Sequence, residues 1–134
     1  MPIQVHNPAT TGGTSYESPF IGPVDHTFGL KVNIANLTTA EVDEDGVLKP
    51  GVPLKVDGSL VNGAGQAVFG VTMWPIKLVE GNTVALRVGT FEVSVALQGN
   101  INRDIAEDNL GRVYSANEIA AFAAAGANFK LLPT

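Results

Sequence analysis

The chain has no cysteine among its 134 residues. This excludes a disulfide framework, a thiolate metal site and a cysteine nucleophile, leaving packing and self-association as sources of stability. Positive charge is scarce. Eight Lys and Arg face thirteen Asp and Glu, for a formal net charge of −5. No run of basic residues marks a phosphate-binding face, so nucleic acid is not an expected partner. Long hydrophobic runs are missing as well: none approaches the roughly 20 apolar residues of a bilayer span, and no basic region followed by an apolar run opens the chain. No membrane partner is expected, and synthesis in the cytoplasm is.

Histidine is limited to His6 and His26, with no second ligand at a metal-like spacing. With no core histidine and no cysteine, a nucleophile-plus-base arrangement has little to work with. The acidic run Glu41 to Gly46 resembles the first half of a calcium loop, but Val52 stands where the bidentate carboxylate belongs, so it reads as an acidic turn. Gly63-Ala64-Gly65 begins like a dinucleotide fingerprint, yet Val68 occupies the third small position and strand follows, not helix. Asp104, Glu107 and Asp108 read as a solvated face of a polar stretch. The expectation is a protein that is not an enzyme and uses no cofactor or metal.

Hydrophobic residues make up 45% of the chain and charged ones 16%, which implies one globular domain whose surface relies on uncharged polar groups. Residues 1–29 differ from the rest. They hold four of the eight prolines (Pro2, Pro8, Pro19 and Pro23), the stretch Thr10 to Ser15, and neither Lys nor Arg. Such a segment forms a ladder or helix poorly by itself, yet Tyr16, Phe20, Ile21 and Phe28 are bulkier than a solvated tail requires. It reads as an extended, flexible N-terminal arm ahead of one β-rich core domain at residues 30–134.

In the core, Leu30, Val32 and Ile34 alternate with Lys31 and Asn33, the period of a half-buried strand. Turns at Asp43 to Gly46, Pro50-Gly51, Asp57-Gly58 and Asn62-Gly63 punctuate short apolar pieces, which predicts a meander of short strands as far as Val71. Val84, Leu86 and Val88 share one parity, while Phe91, Val93, Val95 and Leu97 share the other; this slip requires a bulge or bend at Gly89. Asn102 to Leu110 is compatible with one or two helical turns. Ser115-Ala116-Asn117-Glu118 has the form of a capping box, opening a helix with Ile119, Phe122 and Ala123 buried and Gly126 as its left-handed terminator. Asn128 to Leu132 reads as a last strand. The fold class is mostly β with a small C-terminal helix. Trp74-Pro75, holding the single Trp, reads as a possible subunit interface.

The order of Arg87-Val88-Gly89-Thr90-Phe91-Glu92-Val93, Ser115, Ala121-Phe122-Ala123, Gly126 and Phe129-Lys130-Leu131-Leu132 resembles the head decoration proteins of lambda-type tailed phages. Pro53-Leu54 and the Val-rich hairpin up to Val71 resemble that family's middle section, and the resemblance covers roughly residues 47 to 132. One departure is that Trp74-Pro75 precedes Gly-Thr-Phe, whereas the family's Trp-Pro follows it. The resemblance implies a β-clip-like small domain that assembles as a homotrimer on local three-fold positions of the expanded capsid, on the virion surface. The partners implied are the major capsid protein and the chain itself. Thr14, Ser15, Tyr16, Phe20 and Ile21 would be the capsid-binding part of the arm. Competing readings are another virion structural role, such as a head fibre or tail component, and a small trimeric β enzyme.

Overall fold

A computed structural model describes residues 16–24, 26–63, 65–78 and 89–132. The chain is mostly β: nine short strands in three sheets, with two short α-helices, among the described residues. The principal sheet is built on β2 (Thr27–Asn33) and β7 (Thr90–Ala96), antiparallel over seven residue pairs. Their register sets Leu30 opposite Val93 and Val32 opposite Phe91. Leu30, Val32, Val93 and Val95 are buried while Lys31, Asn33, Glu92 and Ser94 face out, so the alternation read from the sequence is the alternation observed.

The outer neighbours are β5 (Gly70–Thr72) and β4 (Pro53–Leu54), giving the order β2-β7-β5-β4. β3 (Val47–Leu48) does not join its sequence neighbours; it pairs with β6 (Ile76–Lys77) in a separate ribbon. The middle of the chain is therefore not a plain meander, because one of its hairpins spans the other. Gly89 carries the positive φ of 113° that the slipped parity calls for, and hydrogen bonding resumes with Ile34 N donating to Gly89 O at 3.0 Å. The Val84, Leu86 and Val88 half of that expectation lies outside the described residues.

A third sheet runs β1-β8-β9. β1 (Phe20–Ile21) lies antiparallel to β8 (Gly99–Asn102), and β9 (Phe129–Leu132) lies parallel to β8 on its other side. Phe20 and Ile21, together with Thr27 to Gly29 at the start of β2, are thus paired strand residues within the segment that the sequence assigns to the arm. A single polar-looking stretch, Gly99-Asn100-Ile101-Asn102, is the middle strand, with only Ile101 fully buried.

Helix α1 (Arg103–Leu110) starts directly from β8 with the Asn102 side chain accepting from Ile105 N at 3.1 Å. Helix α2 (Ala116–Ala124) begins with the expected capping box. Ser115 Oγ accepts from Glu118 N at 3.1 Å and Glu118 Oε1 accepts from Ser115 N at 2.8 Å, satisfying two orphan donors reciprocally. Gly126 follows at φ 68°. The buried face of α2 differs by one position from expectation: Glu118, Ala121 and Phe122 are buried, Ile119 is half-buried and Ala123 is exposed. Phe122 sets that rotation, stacking between Tyr114 at 5.2 Å and Phe129 at 6.1 Å and so tying the helix to β9.

Candidate interaction surface

The segment from Tyr16 to Ile21 is held by Asp43, by Asn109 and by β8. The Tyr16 hydroxyl donates to Asp43 Oδ2 at 2.6 Å. The other oxygen of Asp43 accepts from Asp45 N at 2.9 Å and Val47 N at 3.0 Å, so the acidic run uses the Asp43 carboxylate to close its own turn. Next along, the Asn109 side chain clasps the Glu17 backbone, donating to Glu17 O at 2.7 Å and accepting from Glu17 N at 3.3 Å. Asn102 N donates to Pro19 O at 2.7 Å, which brings the chain into register with β8.

Phe20 turns inward over Gly99. A Cβ on Gly99 would stand 2.7 Å from the Phe20 ring, so only glycine lets that ring close on the sheet. Ile21 points to the opposite face and is 44% exposed. Beside Phe20 lies a groove of about 360 Å³ lined by Ser18, Phe20, Val24, Met73 and Trp74 among others. The structure thus brings Phe20 and Trp74 to one groove, leaves Ile21 and Tyr16 elsewhere, and leaves Pro75 exposed beside Trp74. Trp74 is 58% exposed, unusual for so large an apolar side chain. Thr14, Ser15 and His6 lie outside the described residues.

The main charged constellation was not anticipated. Arg112 donates from its two terminal nitrogens to Glu118 Oε1 at 2.7 Å and Oε2 at 3.0 Å, and also to Glu41 Oε2 at 3.2 Å. Both carboxylates are nearly inaccessible, at 6% and 4% side-chain exposure. Glu41 Oε1 in turn accepts from Thr38 N at 2.8 Å and Thr38 Oγ1 at 2.6 Å. Burial alone would push the Glu118 carboxyl up, but the Arg112 guanidinium and the Ser115 amide hold it below the ordinary value. The Arg112 guanidinium is raised, by its bonds to Glu118 first, with burial opposing.

Beside this network, Tyr114 is buried and its hydroxyl donates to Gly51 O at 2.6 Å. Burial, and then the negative charges of Glu118 and Glu107, push that phenol far up. Glu107 accepts from Arg103 Nε at 2.9 Å and from Tyr114 N at 2.8 Å. Of the three carboxylates that a reader of the sequence would test for general acid work, Asp104, Glu107 and Asp108, Glu107 is therefore occupied in tying α1 to the 111–114 turn. Glu118 was legible as a capping residue, but its second partner was not. Nothing in the local pattern links Arg112 to Glu41, 71 residues away.

Among the described residues, no group of three His, Asp or Glu could hold a metal ion, and no helix is long and apolar enough to cross a membrane. Comparison with protein-family models, curated proteins and solved structures finds no match.

Proposed function

We propose that the protein is a head decoration protein of a tailed phage, a β-clip-like domain that binds the expanded capsid at local three-fold positions as a trimer and stabilises it. The ordered motifs from Pro53 to Leu132 suggest the family. The structural observation that carries the mechanism is the attachment of residues 16–21: clasped by Asn109, bonded to Asp43 and paired with β8, they form a fixed root. The Pro- and Gly-rich residues 1–15 depart from that root.

Residues 1–15, including Thr14 and Ser15, would lie along a strand edge of the major capsid protein and add main-chain hydrogen bonds there. Tyr16 and Phe20 would serve as the anchor of the arm, and Ile21, exposed beside it, would meet the shell. Ordering an arm costs about 1 to 2 kcal/mol per residue, so one arm alone binds weakly. Three arms on one trimer bind intramolecularly once the first has docked, a gain of about 10² to 10⁴ in avidity. Trp74, exposed at the rim of the Phe20 groove, and Pro75, exposed beside it, would face a neighbouring subunit. The chain performs no catalysis in this reading.

Deleting residues 1–15 tests it. The expected product keeps its circular dichroism spectrum and oligomeric state but no longer co-sediments with expanded heads. Undiminished binding overturns the reading. Trp74→Ser is expected to shift the mass measured by light scattering from trimer to monomer.

A further inference from the structure

The sheet β1-β8-β9 ends at β9, which has β8 on one side and no described strand on the other. Along that edge, open among the described residues, runs a groove of about 250 Å³. Its apolar walls are Ile119, Phe122 and Ala123 of α2 and Phe129 and Leu131 of β9. Arg103 and Lys130 complete the lining. Three successive β9 residues contribute, although their side chains alternate across the sheet, so the groove follows the strand edge itself.

Charge sets the second half of the recognition. In a protein of net charge −5, this edge carries two cations, Arg103, which is paired with Glu107 at 2.9 Å, and Lys130. The Lys130 ammonium is exposed and makes no hydrogen bond or ion pair with a described residue. Phe129 and Leu131 face the core side, and Lys130 faces the opposite side. A strand added to β9 would therefore project every second side chain into the apolar groove and the intervening ones alongside Lys130.

We infer that this edge is a docking site for an extended segment of another protein in which apolar residues alternate with Asp or Glu. The described part of the chain has no free segment of that kind to offer a second copy. Glu41-Val42-Asp43 is folded around the fully buried Val42, and Phe91-Glu92-Val93 lies in the central strand β7. The inference stands independently of the capsid reading.

The test uses the full-length protein and a fluorescein-labelled, capped peptide Asp-Ile-Glu-Ile-Asp in an anisotropy titration. Saturable binding is expected, weakening with salt. A peptide with lysine in place of the three acids, or with proline at the centre, should not bind. Lys130→Glu should weaken the acidic peptide about tenfold and admit the lysine peptide. Ala123→Phe, at an exposed helix position, should block the groove while leaving the thermal unfolding midpoint within a few degrees of wild type. Equal binding of acidic and lysine peptides, or wild-type affinity in both variants, overturns the inference. So does an oligomer that Ala123→Phe dissociates, since the occupant would then be a second copy. Loss of head binding on deletion of residues 1–15 together with intact peptide binding would separate the two sites.

Discussion

Replacing Arg112 by Ala should expose how much of the fold depends on one side chain. The substitution removes a two-pronged bond to Glu118 and a third contact to Glu41, and strands two carboxylates that water hardly reaches. Breaking a buried pair by deleting one partner costs about 3 to 5 kcal/mol. The Arg112 side chain is itself 32% exposed, so solvent can partly replace it and the lower end, about 3 kcal/mol, is expected. For a chain of this size that lowers the melting temperature by about 10 °C. The pH dependence is diagnostic. Glu118 is held below its ordinary value in the folded state, so its contribution is present above the unfolded value of roughly 4.3 and is lost as pH falls through the folded one. The gap between wild type and variant, measured by urea unfolding followed by circular dichroism, should be widest near neutrality and shrink below about pH 4. Adding Glu118→Gln to the variant should recover part of the loss, because Gln still serves the capping box without burying a charge. A gap under about 1 kcal/mol, or one that does not change between neutral and acid pH, would refute the reasoning.

Two glycines of similar backbone conformation should respond very differently to alanine. Gly58 sits at φ 85° with its Cβ direction 2.0 Å from Lys31 O on the outer edge of β2, whereas Gly65 sits at φ 83° with nothing within 4 Å. Gly65→Ala should cost about 1 to 2 kcal/mol in urea unfolding, the left-handed penalty alone, while Gly58→Ala should cost several times as much or fail to fold; equal losses would argue against the packing of that turn on β2. Tyr114→Phe keeps the ring stack on Phe122 but leaves Gly51 O without its donor, so it should lose about 1 to 3 kcal/mol with the circular dichroism spectrum unchanged.

The parts of the fold legible in the sequence are those governed by local pattern. β2 and β7 announce themselves through alternation, α2 through the Ser115 to Glu118 box, and the turns through Gly and Asx residues. β8 was hidden because its outer face is Asn100 and Asn102 and Gly99 brings no side chain to the inner one, so one buried Ile101 is too little signal for a strand flanked on both sides. β1 was hidden for a related reason: Phe20 and Ile21 look like isolated bulky residues until β8 supplies their partner. The candidate surface was half legible. Trp74 and Phe20 could each be singled out, but only three-dimensional packing puts them in one groove. The Arg112 network joins segments far apart in the chain, which no spacing rule reaches.

The arrangement around β8 also governs where the molecule can be extended. β1 runs against β8 and β9 runs along it, with Phe20 and Leu131 on either side of Ile101. The incoming chain and the outgoing chain therefore meet at the same end of one sheet, two strand spacings or about 10 Å apart. Cargo fused after residue 132 would emerge beside the root of the N-terminal segment and compete with it for space.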